Sequence, residues 1–566
     1  MLDNIFLVFV FYFLILFSVT GLGQLFLLIF YKDANYLNIG YLGLFSCLLL
    51  ILYSYITNFF ISHGVYHNFI LIIIGLILFI YFNFKRTVFK NLQLNLLLIY
   101  FLILFISFLV FKTHEDFPYY HFPYTHYLTQ NSLIIGLGHY DLGFRTPSSI
   151  FYLGSLFYLP VIQFYMFLMP AILFMGYANL VFGQRIYEDF KIKNINFLTY
   201  FSLLSFVFIN IFFYRIAAHG SDRSAQILVL VLIFEILNFI NYSNEFKKNI
   251  SKSLLKIFLL ISLIVSLKAF YILYLIFLIP LLFYIYKNNK FKLFFKYLFL
   301  HKSSVLLLLT LLIVAIKNFF ITGCFLYPIA ITCFENLSWS LGDKEVERLY
   351  NHYQLWSKGG MAPNYIVDNP DFYIQNFNWV KGWVNIYFFN KVSDFLLGIF
   401  LFLTVFIIIF YSRIKINYLK PKGAYIVLLI LSLLFFEWFY HHPDLRYGGY
   451  CVLAGFVFII FSIQFTSYKN NKKKLYKKFY ILIILSLVIF FVKNFFRILD
   501  EVKKYNYQPI KHSGYIFEEK HYLRADRKFN ELISNYKICQ QNDSTCDSVL
   551  ENKIDYKFYK YILLKQ

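Results

Sequence analysis

Long apolar runs, separated by short polar loops, set the pattern of the chain. Runs long enough to cross a bilayer fall at about 5–30, 37–61, 68–84, 92–111, 161–183, 196–213 and 222–242, and again near 303–320, 394–412, 424–441, 449–466 and 479–496. The stretch from Ser253 to Tyr286 fits no single crossing. As one straight helix it would measure about 50 Å against a hydrocarbon core of about 30 Å. It would also hold Lys268 near mid-bilayer, at a cost of roughly 3 kcal/mol. Lys247, Lys248, Lys252 and Lys256 precede it, and Lys287, Lys290, Lys292 and Lys296 follow it. Two basic flanks on one side of the membrane predict a hairpin with its tip at Leu267–Lys268–Ala269, and a total of about 14 helices. The fold class expected is therefore an all-α polytopic membrane protein.

The remaining basic clusters test that topology. They fall at Lys85, Arg86 and Lys90; at Arg185, Lys191 and Lys193; at Arg413, Lys415, Lys420 and Lys422; and at Lys472, Lys473, Lys474, Lys477 and Lys478. Each lies an even number of crossings from the others, which places them all in the cytoplasm. Both termini are then extracytoplasmic. So are two long loops at about 112–160 and 321–393 and a polar tail over 498–566, outside a transmembrane bundle over 1–497. No secretory signal is expected, because Met1 to Asn4 lacks a basic segment and no small-residue cleavage site follows.

Composition agrees with this picture. The chain is 60% hydrophobic and only 14% charged, with a mean hydropathy of +0.63, which excludes a soluble globular domain. A net charge of +23 follows from cytoplasmic loops alone, so no nucleic-acid partner is expected. Cys47 and Cys451 lie in apolar runs, where a packed thiol is the default. Cys324 with Cys333, and Cys539 with Cys546, form two close pairs on the proposed oxidising side; they read as two disulfides or as four separate thiols.

The most polar stretch is HEDFPYYHFPYTH, His114 to His126, directly after the fourth apolar run. Glu115 and Asp116 there are either solvated loop charges or a proton acceptor at the water–lipid boundary, stiffened by Pro118 and Pro123. Other polar residues at the same side are His121, Arg145 in GFRTPSS, Asp222 in HGSDRSAQ, Lys268, Lys317 in KNFFITGC, and Asp444 and Arg446 in HHPDLRYGGY. Asp222 reads equally as a helix N-cap, Lys268 as a snorkelling cation, and Asp444 with Arg446 as a loop ion pair. The chemical reading has Asp116, with Glu115 and Asp222, doing acid–base work. His121, Arg145, Lys268, Lys317, Asp444 and Arg446 would then bind a phosphorylated substrate. The histidines form no zincin-type i, i+4 pair, so no metal ligands are assigned and a divalent metal lacks a supporting pattern.

Together DFPYYHFPYTHYL, HGSDRSAQILVL, SLKAFYILYL, KNFFITGCFLYP and HPDLRY resemble a poorly characterised bacterial branch of the GT-C glycosyltransferases, membrane enzymes that use polyprenyl-phosphate sugars. The resemblance spans about 100–550 and rests on the order of the motifs. It implies a GT-C-like bundle in a bacterial inner membrane and an extracytoplasmic active site. It also implies transfer of a hexose or pentose from a polyprenyl-phosphate donor to a lipid, glycan or protein. On that pattern Asp116 takes the catalytic acid's place with Glu115 as neighbour or substitute. Asp222 is the second acid, Lys268 and Lys317 serve the donor phosphate, and Arg446 is the C-terminal arginine. Lys317 stands where the pattern has arginine, and four helices rather than one precede the acidic loop. Two rivals remain: a polysaccharide polymerase or ligase relying on arginines, and a lipid-linked oligosaccharide flippase. The latter usually carries charges at mid-membrane, where Glu235 is the exception in this chain.

Overall fold

The computed structural model describes residues 5–30, 38–86, 91–111, 116–139, 142–216, 220–241, 246–287, 292, 295, 301–362, 365–415, 421 and 423–512. Among them, ten helices are long and apolar enough to cross a membrane. They are Ile5–Phe30, Ile39–Thr57, Val65–Phe84, Phe164–Lys191, Ser221–Asn241, Lys302–Thr322, Val380–Phe410, Ala424–His441, Gly449–Thr466 and Lys472–Tyr505. Shorter apolar helices at Gln93–Phe108, Phe197–Phe212 and Ala269–Phe283 fill the gaps between them. The chain is thus an all-helical integral membrane protein, with one two-residue ladder, Met361–Ala362 against Tyr365–Ile366, in a loop.

Local sequence explains where helices start and stop. Asn196 and Thr199 form a reciprocal capping box that opens Phe197–Phe212. Gly323, with φ of 79°, closes Lys302–Thr322 in the left-handed conformation that costs glycine least. The expected break at Lys268 is present. Helix Phe246–Leu267 ends there, Lys268 is extended, and a 3-10 segment runs from Ala269 to Phe277.

Burial sorts the helices into centre and rim. The apolar windows of Phe164–Lys191 and Ser221–Asn241 are 94% and 89% buried, whereas that of Val65–Phe84 is 22% buried and so faces lipid. The Val65–Arg86 helix crosses Ile5–Phe30 closely enough that a Cβ on Gly21 would meet the Gly75 carbonyl at 2.1 Å, a contact only glycine allows. Glu235, deep in the bundle, pairs with Lys256 at 3.3 Å and accepts a hydrogen bond from the Tyr41 hydroxyl. These contacts tie three helices together.

Basic loops gather at one end. Lys472 donates to the Lys193 carbonyl at 3.4 Å, Tyr476 to the Phe190 carbonyl at 3.4 Å, and the Lys469 amide to the Ile414 carbonyl at 2.9 Å. Asp116, Asp222, Lys268 and Arg446 meet at the other end.

The loop that follows Lys302–Thr322 is closed by a Cys324–Cys333 disulfide. Cys539 and Cys546 lie outside the described residues. Replacing Cys324 and Cys333 by serine frees a loop of sequence separation 9. The change should cost local stability of about 2–3 kcal/mol, read as faster proteolysis of the loop than in wild type.

Candidate active site

The acidic stretch folds back into the bundle. Pro118 and Pro123 each remove a backbone donor, and the chain runs through a π-helical turn, Phe117–His121, into the short helix Phe122–Gln130. Asp116 stands at the mouth of that turn. A Cβ on Gly143 would meet Tyr120 Cβ at 2.1 Å, so a bare glycine is what lets Tyr120 seat beside the acid.

Three other elements bring charge to Asp116. Asp222 lies in the first turn of Ser221–Asn241. Lys268 reaches it from the helix break, Nζ to Oδ1 at 2.5 Å. Arg446 sits in the 3-10 turn Leu445–Tyr447 and stands between the two acids. Its Nη1 is 3.9 Å from Asp116 Oδ2 and its Nε 3.9 Å from Asp222 Oδ2. These side chains are 30% (Asp116), 23% (Asp222), 25% (Lys268) and 31% (Arg446) exposed, so a substrate can touch all of them. Arg446 Nε is itself shielded and has no hydrogen-bond acceptor in reach among the described residues. A shielded guanidinium donor left open is costly unless a ligand completes it.

The turn that presents Arg446 is tightly held. Asp444 accepts from the Arg446 amide at 3.0 Å and from the Tyr387 hydroxyl at 2.5 Å. Gln226, one turn after Asp222, donates to the carbonyls of Leu445 and Arg446 at 3.3 and 3.1 Å and accepts from the Cys451 amide at 3.2 Å. Gln226 therefore fixes the register between the Asp222 helix and the Arg446 turn.

Aromatic rings close the sides. The Arg446 guanidinium lies 5.1 Å from the Trp356 ring and 5.2 Å from Tyr447, and the Lys268 ammonium lies 4.5 Å from Tyr447. Burial, then the carboxylates of Asp116 and Asp222, pushes the Tyr120 phenol above its ordinary range, so it stays a neutral hydrogen-bond donor. His442 packs against Phe270, Tyr350 and Tyr447; burial, then His441, Lys358 and Lys268, lowers it to about 3, which keeps it neutral.

The sequence expectation thus divides. Asp116, Asp222, Lys268 and Arg446 come together. Asp444 is adjacent, but as a cap on the backbone of Arg446. His121 is buried between Tyr120 and Phe151. Arg145 turns to the loop helix Asp343–Ser357, bonding Glu345 at 3.1 Å and the Gly138 carbonyl at 2.9 Å. Lys317 is wholly buried in its helix, donating to Asn58 at 3.1 Å with the Phe59 ring 4.0 Å away. Glu115 lies outside the described residues. Tyr120, Gln226 and Trp356 were not anticipated. The spacing of Gln226 four residues after Asp222 was the one available signal. Among the described residues, no group of three or more His, Cys, Asp or Glu is placed to hold a metal ion.

The loop covering the site is anchored by Lys358, which is 1% exposed and donates to Gln354 at 2.8 Å and the Ile374 carbonyl at 3.0 Å. Burial lowers its ammonium from 10.5 to about 8. Between those values the unfolded segment binds more protons than the folded one, so stability rises with pH through that window. Subtilisin cleavage at 357–379, normalised to a free peptide, should slow as pH rises from about 8 to 10.5. Lys358→Met should abolish that trend.

Compared with known proteins, the chain matches a family model described as a domain of unknown function (DUF8201) over residues 5–453. No curated protein and no solved structure matches it. The matched span runs from the first helix past the turn that carries Arg446, and it holds all four convergent charges. The chain therefore belongs to the DUF8201 family.

Proposed function

We propose that the protein is an integral membrane glycosyltransferase of GT-C type, moving a sugar from a polyprenyl-phosphate donor to a hydroxyl on a lipid, glycan or protein. The observation that carries this reading is the meeting of Asp116, Asp222, Lys268 and Arg446, from separate segments, at one substrate-accessible end. We read the ten long helices with the shorter apolar ones as about 14 crossings of a bacterial inner membrane, both termini outside. An extracytoplasmic site is supported by the Cys324–Cys333 disulfide, which needs an oxidising compartment, on the loop whose Trp356 lies over Arg446. The basic loops at the opposite end support the same orientation.

In the reaction, the Asp116 carboxylate takes the proton of the acceptor hydroxyl as its oxygen attacks the anomeric carbon. The bond from that carbon to the donor phosphate breaks, and the polyprenyl phosphate leaves with the bonding pair. Asp222 is bonded to Lys268 and holds that ammonium beside the reacting centre. The partly exposed Arg446 guanidinium and Lys268 neutralise the departing phosphate. Tyr120 donates to the reacting oxygens.

The test is transfer by the purified full chain from a synthetic short-chain polyprenyl-phosphate sugar to a membrane lipid extract. Release of polyprenyl phosphate that depends on Asp116 is expected. Wild-type release by Asp116→Asn, or donor binding with no release at all, would overturn the proposal and favour a carrier.

A further inference from the structure

Outward loops of polytopic proteins are poor in Lys and Arg, yet four more cations gather at the site end of this bundle. Arg215 follows the Phe197–Phe212 helix, Arg223 lies in the first turn of Ser221–Asn241, and Lys493 and Arg497 lie one turn apart in Lys472–Tyr505. Arg215, Arg223 and Lys493 neighbour Tyr214. Arg215 Nε donates to the Tyr214 hydroxyl at 2.9 Å, and the Lys493 ammonium lies 4.7 Å from the same ring while donating to the Ile211 carbonyl at 3.3 Å. Arg223 has both Arg215 and Arg497 as electrostatic neighbours, together with Tyr214 and Tyr450. Arg497 pairs with Glu501 at 2.9 Å, and the other oxygen of Glu501 accepts from the Phe111 amide at 2.7 Å. Glu501 is bonded into this group and Asp222, itself paired with Lys268, neighbours Arg223, so among the described residues the cations outnumber the carboxylates. Like charges drawn together from three segments repel unless an anion joins them.

The surroundings name the anion's source. Lys493 lies roughly 30 Å along its helix from Lys472, about one hydrocarbon thickness from the basic end. Its helix neighbours Val492, Phe495 and Phe496 are 39%, 47% and 60% exposed, an apolar surface that belongs in lipid. Tyr214 adds the interfacial aromatic typical of headgroup level. Cations set in a lipid-facing surface meet headgroups before they meet solutes.

We infer that Arg215, Arg223, Lys493 and Arg497 form a second anion site that holds the phosphate of a lipid headgroup in the outer leaflet. The inference rests on the proposed orientation and deepens the transferase reading. Arg223 adjoins Asp222 in sequence, so a phosphorylated lipid held here lies beside the Asp116 centre, placed to serve as acceptor.

The test uses the full chain in phosphatidylcholine nanodiscs, with spin-labelled phosphatidic acid and spin-labelled phosphatidylcholine compared for immobilisation. Arg215→Gln with Lys493→Gln should cut the preference for phosphatidic acid by about tenfold or more, at roughly 1 kcal/mol per cation removed. Arg215→Lys with Lys493→Arg should keep it, as should Lys473→Gln with Lys474→Gln at the basic end. An unchanged preference in the Gln pair overturns the site, and equal loss in the basic-end pair reduces it to general surface charge. Displacement by excess inorganic phosphate would overturn the lipid as its occupant in favour of a soluble anion. No turnover is needed for this readout, and Asp116→Asn should bind as wild type does. A failure here therefore leaves the transfer test standing.

Discussion

Asp116→Asn is expected to lower sugar transfer by about 10²–10⁴-fold, the range a positioned general base supplies. The amide keeps the shape of the carboxylate beside the Arg446 guanidinium, 3.9 Å away in the wild type. The side chain is about a third exposed, so little packing is lost. The loss should fall on kcat with KM nearly unchanged, because the proton moves only as the new bond forms. Polyprenyl-phosphate release under single-turnover conditions measures it, and unchanged membrane yield and thermal unfolding show that the fold survives. A rate within about threefold of wild type would remove Asp116 from the role of base.

Arg446→Gln should be nearly as severe, at about 10²-fold, with a signature that separates it from Asp116→Asn. The guanidinium stands between Asp116 and Asp222 at 3.9 Å from each. Without it, two carboxylates share a site with Lys268 as the cation in direct contact, bonded to Asp222. Against burial, Lys268 first and then Arg446 hold the Asp222 carboxyl below its ordinary range, so losing the guanidinium lets Asp222 keep its proton to higher pH than in wild type. The acidic limb of the pH–rate profile should move upward. Arg446→Lys should recover the limb's position but only part of the rate, since one ammonium cannot span both acids as the planar fork does. A rate loss with an unshifted limb would mean that Arg446 acts on the donor phosphate alone.

Much of this arrangement was readable before any coordinates, and the reason is physical. Length against bilayer thickness locates the Lys268 break. Charges at the ends of apolar runs on one side have few places to go, so Asp116, Asp222, Lys268 and Arg446 could be grouped. The same reasoning fails where helix rotation decides. Lys317 lies within its span, and its rotation sets it against Asn58 and Phe59 rather than beside Lys268 and Arg446. Arg145 is claimed by Glu345, a partner on a loop helix whose placement no periodicity reveals. Asp444 has the right neighbour but bonds its backbone, a distinction of a few ångströms. Trp356 was hidden because one tryptophan in an aromatic-rich chain carries no signal until the loop is folded over Arg446.

Gln226 has a consequence for redesign. It bolts the strip of backbone carrying Arg446 to the helix that bears Asp222, so neither piece is a cassette that can be lifted into another scaffold. A hybrid that takes the 221–241 helix from a relative without that glutamine should assemble in the membrane with its guanidinium out of register and stay silent.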